Sequence, residues 1–247
     1  MPKARTGPSS LWLLRHGQSQ GNVIRASAAA DALELDIPDR DMDVPLSDLG
    51  LEQARAFGAW LGSAGRDDLP EAVIASPYRR AVQTAEIVAT LAGLGEVSTD
   101  ERLRERDLGM MDLLTTRGFA ARFPAEAAHR ERLGKFYYRP PGGESWTDVA
   151  LRCRSMRDSV ALEHPDERVL LVTHEVVIIL FRYLLEHLDE GGALSLSRQG
   201  VIRNCGLTAF SRNDEGVLET AAIDWTAPVE AADVRLTGEP DDVIASR

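Results

Sequence analysis

The chain has 247 residues, a length that suits one large domain or one domain with a sizeable insertion. Hydrophobic residues make up 44% and charged residues 27%, which is the balance of an ordinary globular protein. The net charge of −11 repels nucleic acid and anionic membrane surfaces, so neither is expected as a partner. A phosphate-binding site in this chain must therefore be a local basic pocket.

The sequence shows no sign of export or membrane insertion, which predicts a cytoplasmic protein. The apolar run at residues 11–14 is too short for the core of a signal peptide, and no stretch approaches the length that spans a bilayer. The two cysteines, Cys153 and Cys205, form no Cys-x-x-Cys metal or redox pattern and are expected to be buried thiols. The sequence leaves the oligomeric state open.

Apolar patterning predicts strands and helices in alternation. In chain order the predicted elements are a flexible leader (1–10), a strand (11–14), a loop with little structure (26–44), a helix (from about 48 to between 62 and 65), a strand (71–75), a helix (76–92), a short strand at 97, an inserted and partly helical lid (101–144), a helix (145–163), a strand (168–173), a helix (176–188), two strands (205–211 and 216–224) and a loosely held acidic tail (227–247).

This alternation predicts an α/β fold in which a mostly parallel sheet is covered on both faces. Residues 11–226 are expected to form a single domain that includes the lid. The turn-forming residues at 212–216 predict a hairpin between the last two strands, and with it at least one antiparallel strand at the edge of the sheet.

Polar side chains follow three of the predicted strands. Arg15 and His16 end the first strand, Arg80 lies just beyond the second, and His174 follows the strand at 168–173. Because the carboxyl ends of parallel strands meet at one edge of a sheet, these side chains and the amide of Asn22 are expected to converge. Guanidinium, imidazole and amide donors together suit a tetrahedral anion such as phosphate.

Each residue has a simpler explanation when it is taken alone. An Arg-His-Gly sequence can occur by chance in a surface loop, Arg80 can be a solvated ion-pair partner, and His174 can be a satisfied core histidine. Chance placement at three separate strand ends is a poorer explanation than a shared site. The segment 103–109 adds carboxyl groups, and a carboxyl beside a bound anion is favoured in its protonated form and can serve as a general acid. The alternative for that segment is an exposed run of charges.

Five separated motifs complete the pattern: Leu-Leu-Arg-His-Gly-Gln-Ser-x-Gly-Asn, Ser-Pro-Tyr-x-Arg-Ala-x-Gln-Thr-Ala, Leu-x-Glu-Arg-x-x-Gly, Gly-Glu-Ser and Val-Thr-His. In these motifs and their order, over about residues 11–225, the chain resembles the histidine phosphatase superfamily in its phosphoglycerate mutase-like branch. The resemblance implies a three-layer α/β/α sandwich with a helical lid insertion. It also implies a reaction that needs no metal or other cofactor.

The resemblance implies a role for each residue that matches a motif. His16 is the expected nucleophile, which becomes phosphohistidine, and Glu105 is the expected proton donor to the leaving group. The phosphoryl oxygens are expected to be held by Arg15, Arg80, His174 and Asn22, with Ser19 and Gln18 lining the pocket.

Two positions depart from the family pattern. Glu175 stands where the family commonly has glycine, and its carboxylate is expected to repel part of the substrate or to select a positively charged one. Gln18 stands where many members have glutamate. The longer lid of true mutases, with its tandem arginines, is not recognisable in this chain.

Three functions follow from this sequence. A phosphomonoesterase that acts on a small phosphorylated metabolite or a phosphopeptide is the leading hypothesis. A phosphoglycerate mutase needs a second anion site and a lid that excludes water, and the lid does carry arginines: Arg104, Arg106, Arg130, Arg132 and Arg139. A catalytically weak regulatory binding protein is the third possibility, although such a protein is expected to have lost one of the motif residues.

Overall fold

A computed structural model describes residues 7–200 and 202–238. Its elements follow in chain order as β1 (Ser10–Arg15), α1 (Gln20–Ser27), α2 (Asp48–Gly62), β2 (Ala72–Ala75), α3 (Arg79–Ala92), β3 (Val97–Thr99), α4 (Thr116–Arg122), α5 (Pro124–Leu133), α6 (Trp146–Glu163), β4 (Arg168–Thr173), α7 (Glu175–Leu185), α8 (Glu190–Gln199), β5 (Leu207–Arg212), β6 (Leu218–Trp225) and α9 (Ala227–Ala231).

The six strands form one sheet in the order β3-β2-β4-β1-β5-β6. The first four strands in this order are parallel, whereas β5 runs antiparallel to both β1 and β6. The predicted α/β fold with a mostly parallel sheet is therefore confirmed, and so is the hairpin. The antiparallel strand β5 lies one place in from the edge, and β6 is the edge strand.

Alternate residues of the buried strands face opposite layers of helices. In β1, Leu11 and Leu13 belong to a core cluster with residues of α6 and α7, whereas Leu14 belongs to a second cluster with residues of α2 and α3. Because side chains of a strand alternate between the two faces of a sheet, this pattern places one helical layer on each face. The three-layer sandwich is thus confirmed.

Helices α1, α8 and α9 were not predicted, and α3 and α7 differ from their predicted bounds at one end. Helix α3 begins at Arg79 rather than at Ser76, because the Ser76 hydroxyl lies in the loop that ends β2 and accepts a hydrogen bond from the Tyr78 amide at 3.3 Å. Helix α8 was not predicted, since its first turn contains Gly191 and Gly192, which weaken a helix signal. Its N-cap explains it, because the Asp189 carboxylate accepts a hydrogen bond from the Gly192 amide at 2.7 Å.

Parts of both ends of the domain are packed where the structure describes them, which corrects the predicted leader and tail at those residues. At residues 7–9, the Ser9 amide donates to the Glu167 carbonyl at 2.8 Å, and Gly7 accepts from the Arg212 guanidinium at 2.7 Å. In the tail, Val229 of α9 is buried in a small cluster with Cys205. These contacts are too few to leave an apolar period in the sequence. Residues 1–6 and 239–247 lie outside the described residues.

The insertion between β3 and α6 is partly helical, as expected, and carries α4 and α5. Its small core contains Met111, Leu114, Phe119 and Tyr138. The buried-thiol prediction also holds, because Cys153 and Cys205 are both free and fully buried. Burial raises the pKa of the Cys153 thiol to about 12.

Candidate active site

The two predicted histidines lie side by side at the carboxyl ends of neighbouring parallel strands. Arg15 of β1 is in register with Thr173 of β4, and the His16 amide donates to the Thr173 carbonyl at 3.0 Å. The rings of His16 and His174 are fully buried, with their centroids 5.1 Å apart and their planes at 62°. The register of two buried strands therefore brings together residues that are far apart in the sequence.

The tautomer of the neutral His16 ring follows from one short contact. Its Nδ1 lies 2.7 Å from the Gly17 carbonyl oxygen. Since a carbonyl oxygen can only accept, Nδ1 carries the ring hydrogen, and the lone pair of the neutral imidazole is on Nε2. An imidazole with this tautomer can attack an electrophile through Nε2.

Glycine is required on both sides of the contact between this loop and the start of α2. A Cβ atom on Gly17 would lie 2.5 Å from the Gly50 carbonyl oxygen, and one on Gly50 would lie 2.0 Å from the Gln18 carbonyl oxygen. The loop and the first turn of α2 therefore approach more closely than any side chain allows.

Both predicted arginines are buried, which argues against a solvated Arg80. The Arg80 guanidinium donates through Nη1 to the Asp41 carbonyl at 2.6 Å and pairs with the Asp41 carboxylate at 3.0 Å. It also lies 5.0 Å from the centre of the Tyr78 ring. Arg15 donates through Nη1 to the Ile202 carbonyl. These contacts fix two guanidinium groups in the interior, where charge interacts more strongly than in water.

His174 is bound to the end of the next strand. Its Nε2 lies 2.8 Å from the Ser76 hydroxyl, and its ring contacts the Tyr78 ring edge to face, with centroids 5.3 Å apart. Burial and the negative charge of Asp41 raise the pKa of Tyr78 to about 12, so the phenol is neutral at ordinary pH. A sequence analysis based on charged residues overlooks Ser76 and Tyr78, although both lie within a recognised motif.

Asn22 and Ser19 form the N-terminal cap of α1. The Ser19 hydroxyl and the Ser19 backbone N–H both donate to Asn22 Oδ1, at 2.9 and 3.0 Å. The backbone N–H of Asn22 donates to the Ser19 hydroxyl at 3.1 Å. Because Oδ1 faces Ser19, the Nδ2 group of Asn22 points the other way. Ser19 thus orients Asn22, which is buried.

Gln18 and Glu175, the two residues that depart from the family pattern, are both buried. Gln18 Oε1 accepts a hydrogen bond from the Ser47 hydroxyl at 2.8 Å, and the residue lines a cavity of about 620 Å³ with residues of the C-terminal segment. Glu175 is the first residue of α7, where the partial positive charge of a helix N-terminus stabilises a carboxylate.

Glu105 is buried at the wall of a second cavity, so the expectation of an exposed charge run does not apply to it. Its Oε1 accepts a hydrogen bond from the Arg106 amide at 2.7 Å. The cavity has a volume of about 190 Å³. Its lining includes Arg25, Arg40, Asp41, Tyr78, Glu105 and Arg106. Since the Tyr78 ring also contacts the His174 ring, this cavity adjoins the paired histidines.

Glu144 and Arg152 hold the Glu105 loop and were missed as functional candidates. The Glu144 carboxylate accepts from Arg104 Nη2 at 2.7 Å, from Arg152 Nε at 3.0 Å and from the Asp107 amide at 3.1 Å. Arg152 Nη2 in turn donates to the Glu105 carbonyl at 3.2 Å. The Gly-Glu-Ser motif was the available signal, but on its own it predicts only the start of α6.

In the part of the chain that the structure describes, no three His, Cys, Asp or Glu side chains gather in a way that could hold a metal ion. Likewise, none of the described helices combines the length and apolarity needed to cross a membrane. The side chains that could hold phosphoryl oxygens are Arg15, Arg80, His174 and Asn22.

Comparison with known proteins identifies the family. A model of the histidine phosphatase superfamily, branch 1, matches residues 11–223, and the chain belongs to this superfamily. The chain is 33% identical over 184 residues to a bifunctional protein of Mycobacterium tuberculosis, covering 74% of this chain and 46% of that protein. It therefore spans about half the length of this relative.

Two further similarities cover more of the partner. The chain is 32% identical over 170 residues to a probable phosphoglycerate mutase of Proteus mirabilis, covering 68% of this chain and 70% of the mutase. Among solved structures, a mycobacterial glucosyl-3-phosphoglycerate phosphatase in complex with inorganic phosphate is similar at a TM-score of 0.65 and 30% identity. That similarity covers 90% of this chain and 99% of the phosphatase. The relatives thus include both phosphatase and mutase names.

Proposed function

We propose that the protein is a phosphomonoesterase that hydrolyses a small phosphorylated metabolite through a phosphohistidine on His16. The observation that carries the proposal is the hydrogen bond from His16 Nδ1 to the Gly17 carbonyl at 2.7 Å, within a buried group that includes His174 and Arg80. This hydrogen bond leaves the lone pair of the neutral imidazole on Nε2, which can then attack phosphorus.

The first half of the reaction forms a phosphorylated enzyme. His16 Nε2 attacks the phosphorus atom as the ester P–O bond breaks, and a protonated Glu105 donates its proton to the departing oxygen. Arg15 and Arg80 neutralise charge on the phosphoryl oxygens, which is the main catalytic contribution in phosphoryl transfer. Glu105 is suited to this role because it is buried at the wall of the cavity next to the histidines.

The second half restores the enzyme. The Glu105 carboxylate takes a proton from water as the water oxygen attacks phosphorus, the P–N bond breaks, and inorganic phosphate leaves. The electron pair of the P–N bond returns to Nε2, so His16 and Glu105 recover their starting protonation states. None of these steps requires a metal ion, which is part of the proposal.

The test is turnover of an aryl phosphate and of alkyl phosphate metabolites by the purified protein in the presence of a chelator. The proposal predicts release of phosphate from wild-type protein and loss of that release in His16→Ala. A protein that hydrolyses no phosphate ester, or a His16→Ala variant as active as wild type, would contradict it.

A mutase is the second candidate because the cavity beside Glu105 is also lined by Arg25, Arg40 and Arg106. Such cations can hold a second anionic group, for instance a substrate carboxylate, while the phosphoryl group is retained for transfer. A coupled mutase assay primed with bisphosphoglycerate separates the two activities. Interconversion of phosphoglycerates faster than phosphate release would favour the mutase, and the reverse would favour the phosphatase.

A further inference from the structure

Two buried amide side chains form hydrogen bonds with the backbone of the loop that carries His16. Asn204 Nδ2 donates to the His16 carbonyl at 3.0 Å, and Gln53 Oε1 accepts from the Gln18 amide at 2.9 Å. These two contacts lie on either side of Gly17, whose own amide donates to the Thr84 hydroxyl at 3.1 Å. The peptide unit that contains the Gly17 carbonyl, which accepts the His16 Nδ1 hydrogen, and the peptide unit before it are therefore both fixed by side chains.

The two amides are joined to each other through the C-terminal segment. Gln53 Nε2 donates to the Thr237 hydroxyl at 2.9 Å, and that hydroxyl donates to Asn204 Oδ1 at 2.9 Å. The backbone N–H of Asn204 also donates to the Thr237 carbonyl at 2.8 Å. Gln53 Nε2 also donates to the Arg235 carbonyl at 2.9 Å. These hydrogen bonds and the backbone between His16 and Gln18 form a closed ring, here called the loop-supporting ring. Its members are Gln18, Gln53, Thr237, Asn204 and His16.

The donors and acceptors of the ring fix the orientation of each amide. Gln53 must turn its oxygen to the Gln18 amide and its nitrogen to Thr237, and Asn204 must turn its nitrogen to the His16 carbonyl. Gln53 and Asn204 are fully buried and Thr237 is 8% exposed. Because a buried amide group is costly to leave without its hydrogen-bond partner, the ring strongly favours one arrangement of the loop.

We infer that Gln53, Asn204 and Thr237 are positioning residues that hold His16 in its reactive orientation, so that the segment around Thr237 completes the active site. The inference rests on the proposed function and adds to it the residues that hold the nucleophile. These residues contact the His16 loop and do not line the cavity beside Glu105. Small displacements of a reacting group reduce the rate by up to about 100-fold, so a loosened ring should lower turnover more than binding.

The experiment compares three variants by steady-state kinetics with an aryl phosphate. Thr237→Val keeps the side-chain volume and removes the hydroxyl, whereas Thr237→Ser keeps the hydroxyl. Thr226→Val is the matched control, since Thr226 is a buried threonine of the same C-terminal part whose hydroxyl bonds Glu230 at 3.2 Å, away from the loop. The inference predicts that kcat falls about tenfold or more in Thr237→Val while KM changes less than about threefold. Thr237→Ser and Thr226→Val should each retain most of the wild-type kcat.

A purely structural role would give a different pattern. If Thr237→Val lost stability while keeping the kcat of the Thr226→Val control, the positioning role would be wrong. Thermal melting of all three variants, measured alongside the kinetics, makes that comparison.

Amide hydrogen exchange in the wild-type protein tests the ring without any variant. The Gln18 amide should exchange with the slow core amides, and fast exchange in the folded protein would overturn the inference even if Thr237→Val failed to fold. If the wild type hydrolyses no phosphate ester, the proposed function fails, and the exchange of the Gln18 amide still reports whether the ring exists.

Discussion

The two sides of the candidate active site are built by different forces. The His16 loop is held by strand register and by neutral, buried hydrogen bonds from side chains such as Gln53 and Asn204. The Glu105 loop is held by an ion-pair network in which the Glu144 carboxylate meets Arg104 and Arg152. The Arg104 side chain in this network is 32% exposed. Since exposed charges are screened by salt and neutral buried hydrogen bonds are not, the two loops should respond differently to conditions and to mutation.

From this difference we expect the two loops to have separate roles in the proposed reaction. The loop that would accept the phosphoryl group is fixed by the central sheet, so its position should depend little on salt. The side that would protonate the leaving group is supplied by an insertion between β3 and α6, and its fixation depends on charge. The first side is expected to determine the chemistry, and the second is expected to determine which leaving groups are accepted.

The largest expected effect comes from the His16 side of the comparison. His16→Ala removes the proposed nucleophile, so phosphate release should fall by at least about 10³-fold with every substrate. Initial rates with an aryl and an alkyl phosphate measure this. Circular dichroism controls for folding, and a variant that keeps more than a tenth of the wild-type rate would break the account.

Glu105→Gln should have a large effect that depends on the leaving group. With an alkyl phosphate the rate should fall by about 10²–10⁴-fold, because an alkoxide needs a proton as it departs. With a nitrophenyl phosphate, whose leaving group is stable as an anion, the loss should be much smaller. Equal losses with both substrates would mean that Glu105 is not the proton donor.

Glu144→Gln should have a moderate effect, on the order of tenfold in kcat for an alkyl phosphate, because it loosens the Glu105 loop without touching the histidines. High salt should reduce the wild-type rate in the same direction but by less than the substitution, because only Arg104 of the network is appreciably exposed. Asp158→Asn is the matched control, since Asp158 pairs with Arg157 on the surface. A Glu144→Gln variant that matches this control would show that the network does not position Glu105.

The smallest expected effect is on stability at high pH. Because burial and the charge of Asp41 raise the pKa of Tyr78 to about 12, the folded protein keeps this proton when the unfolded chain has lost it. The unfolded state then binds fewer protons, so the contribution of Tyr78 to stability is complete below about pH 10 and declines as the pH rises through about 12. Urea unfolding at pH 8 and pH 11 should show a fall that is smaller by about 1 kcal/mol in Tyr78→Phe. An identical fall in both proteins would contradict the direction of this shift.

Much of the His16 side could be predicted from the sequence, and the reason is the sheet. Apolar runs such as residues 168–173 identify buried strands, and parallel strands must deliver Arg15, His16 and His174 to one edge. The motif that carries Arg80 could be placed for the same reason. Asp41, which pairs with Arg80, has no comparable signal because it lies in a segment without an apolar period or a motif.

The supports of both loops could not be predicted, because they depend on contacts between distant and individually ordinary residues. Gln53 and Thr237 are 184 positions apart, and neither belongs to an apolar period or to one of the five motifs. The tail was predicted to be loosely held for that reason, although Val229 and Thr237 within it are buried. Glu144 stands in a recognised motif, yet only the fold shows that its carboxylate turns back to the Glu105 loop.

The central claim is that His16 accepts the phosphoryl group on Nε2, and the most direct test is to identify the phosphorylated atom. The protein would be quenched in alkali during turnover of an aryl phosphate, digested, and analysed by phosphorus NMR and mass spectrometry. The hydrogen bond from Nδ1 to Gly17 predicts a single phosphohistidine at position 16, substituted on Nε2 and stable to alkali but labile to acid. Phosphate on Nδ1, on another residue, or on no residue while the ester is being hydrolysed would contradict it.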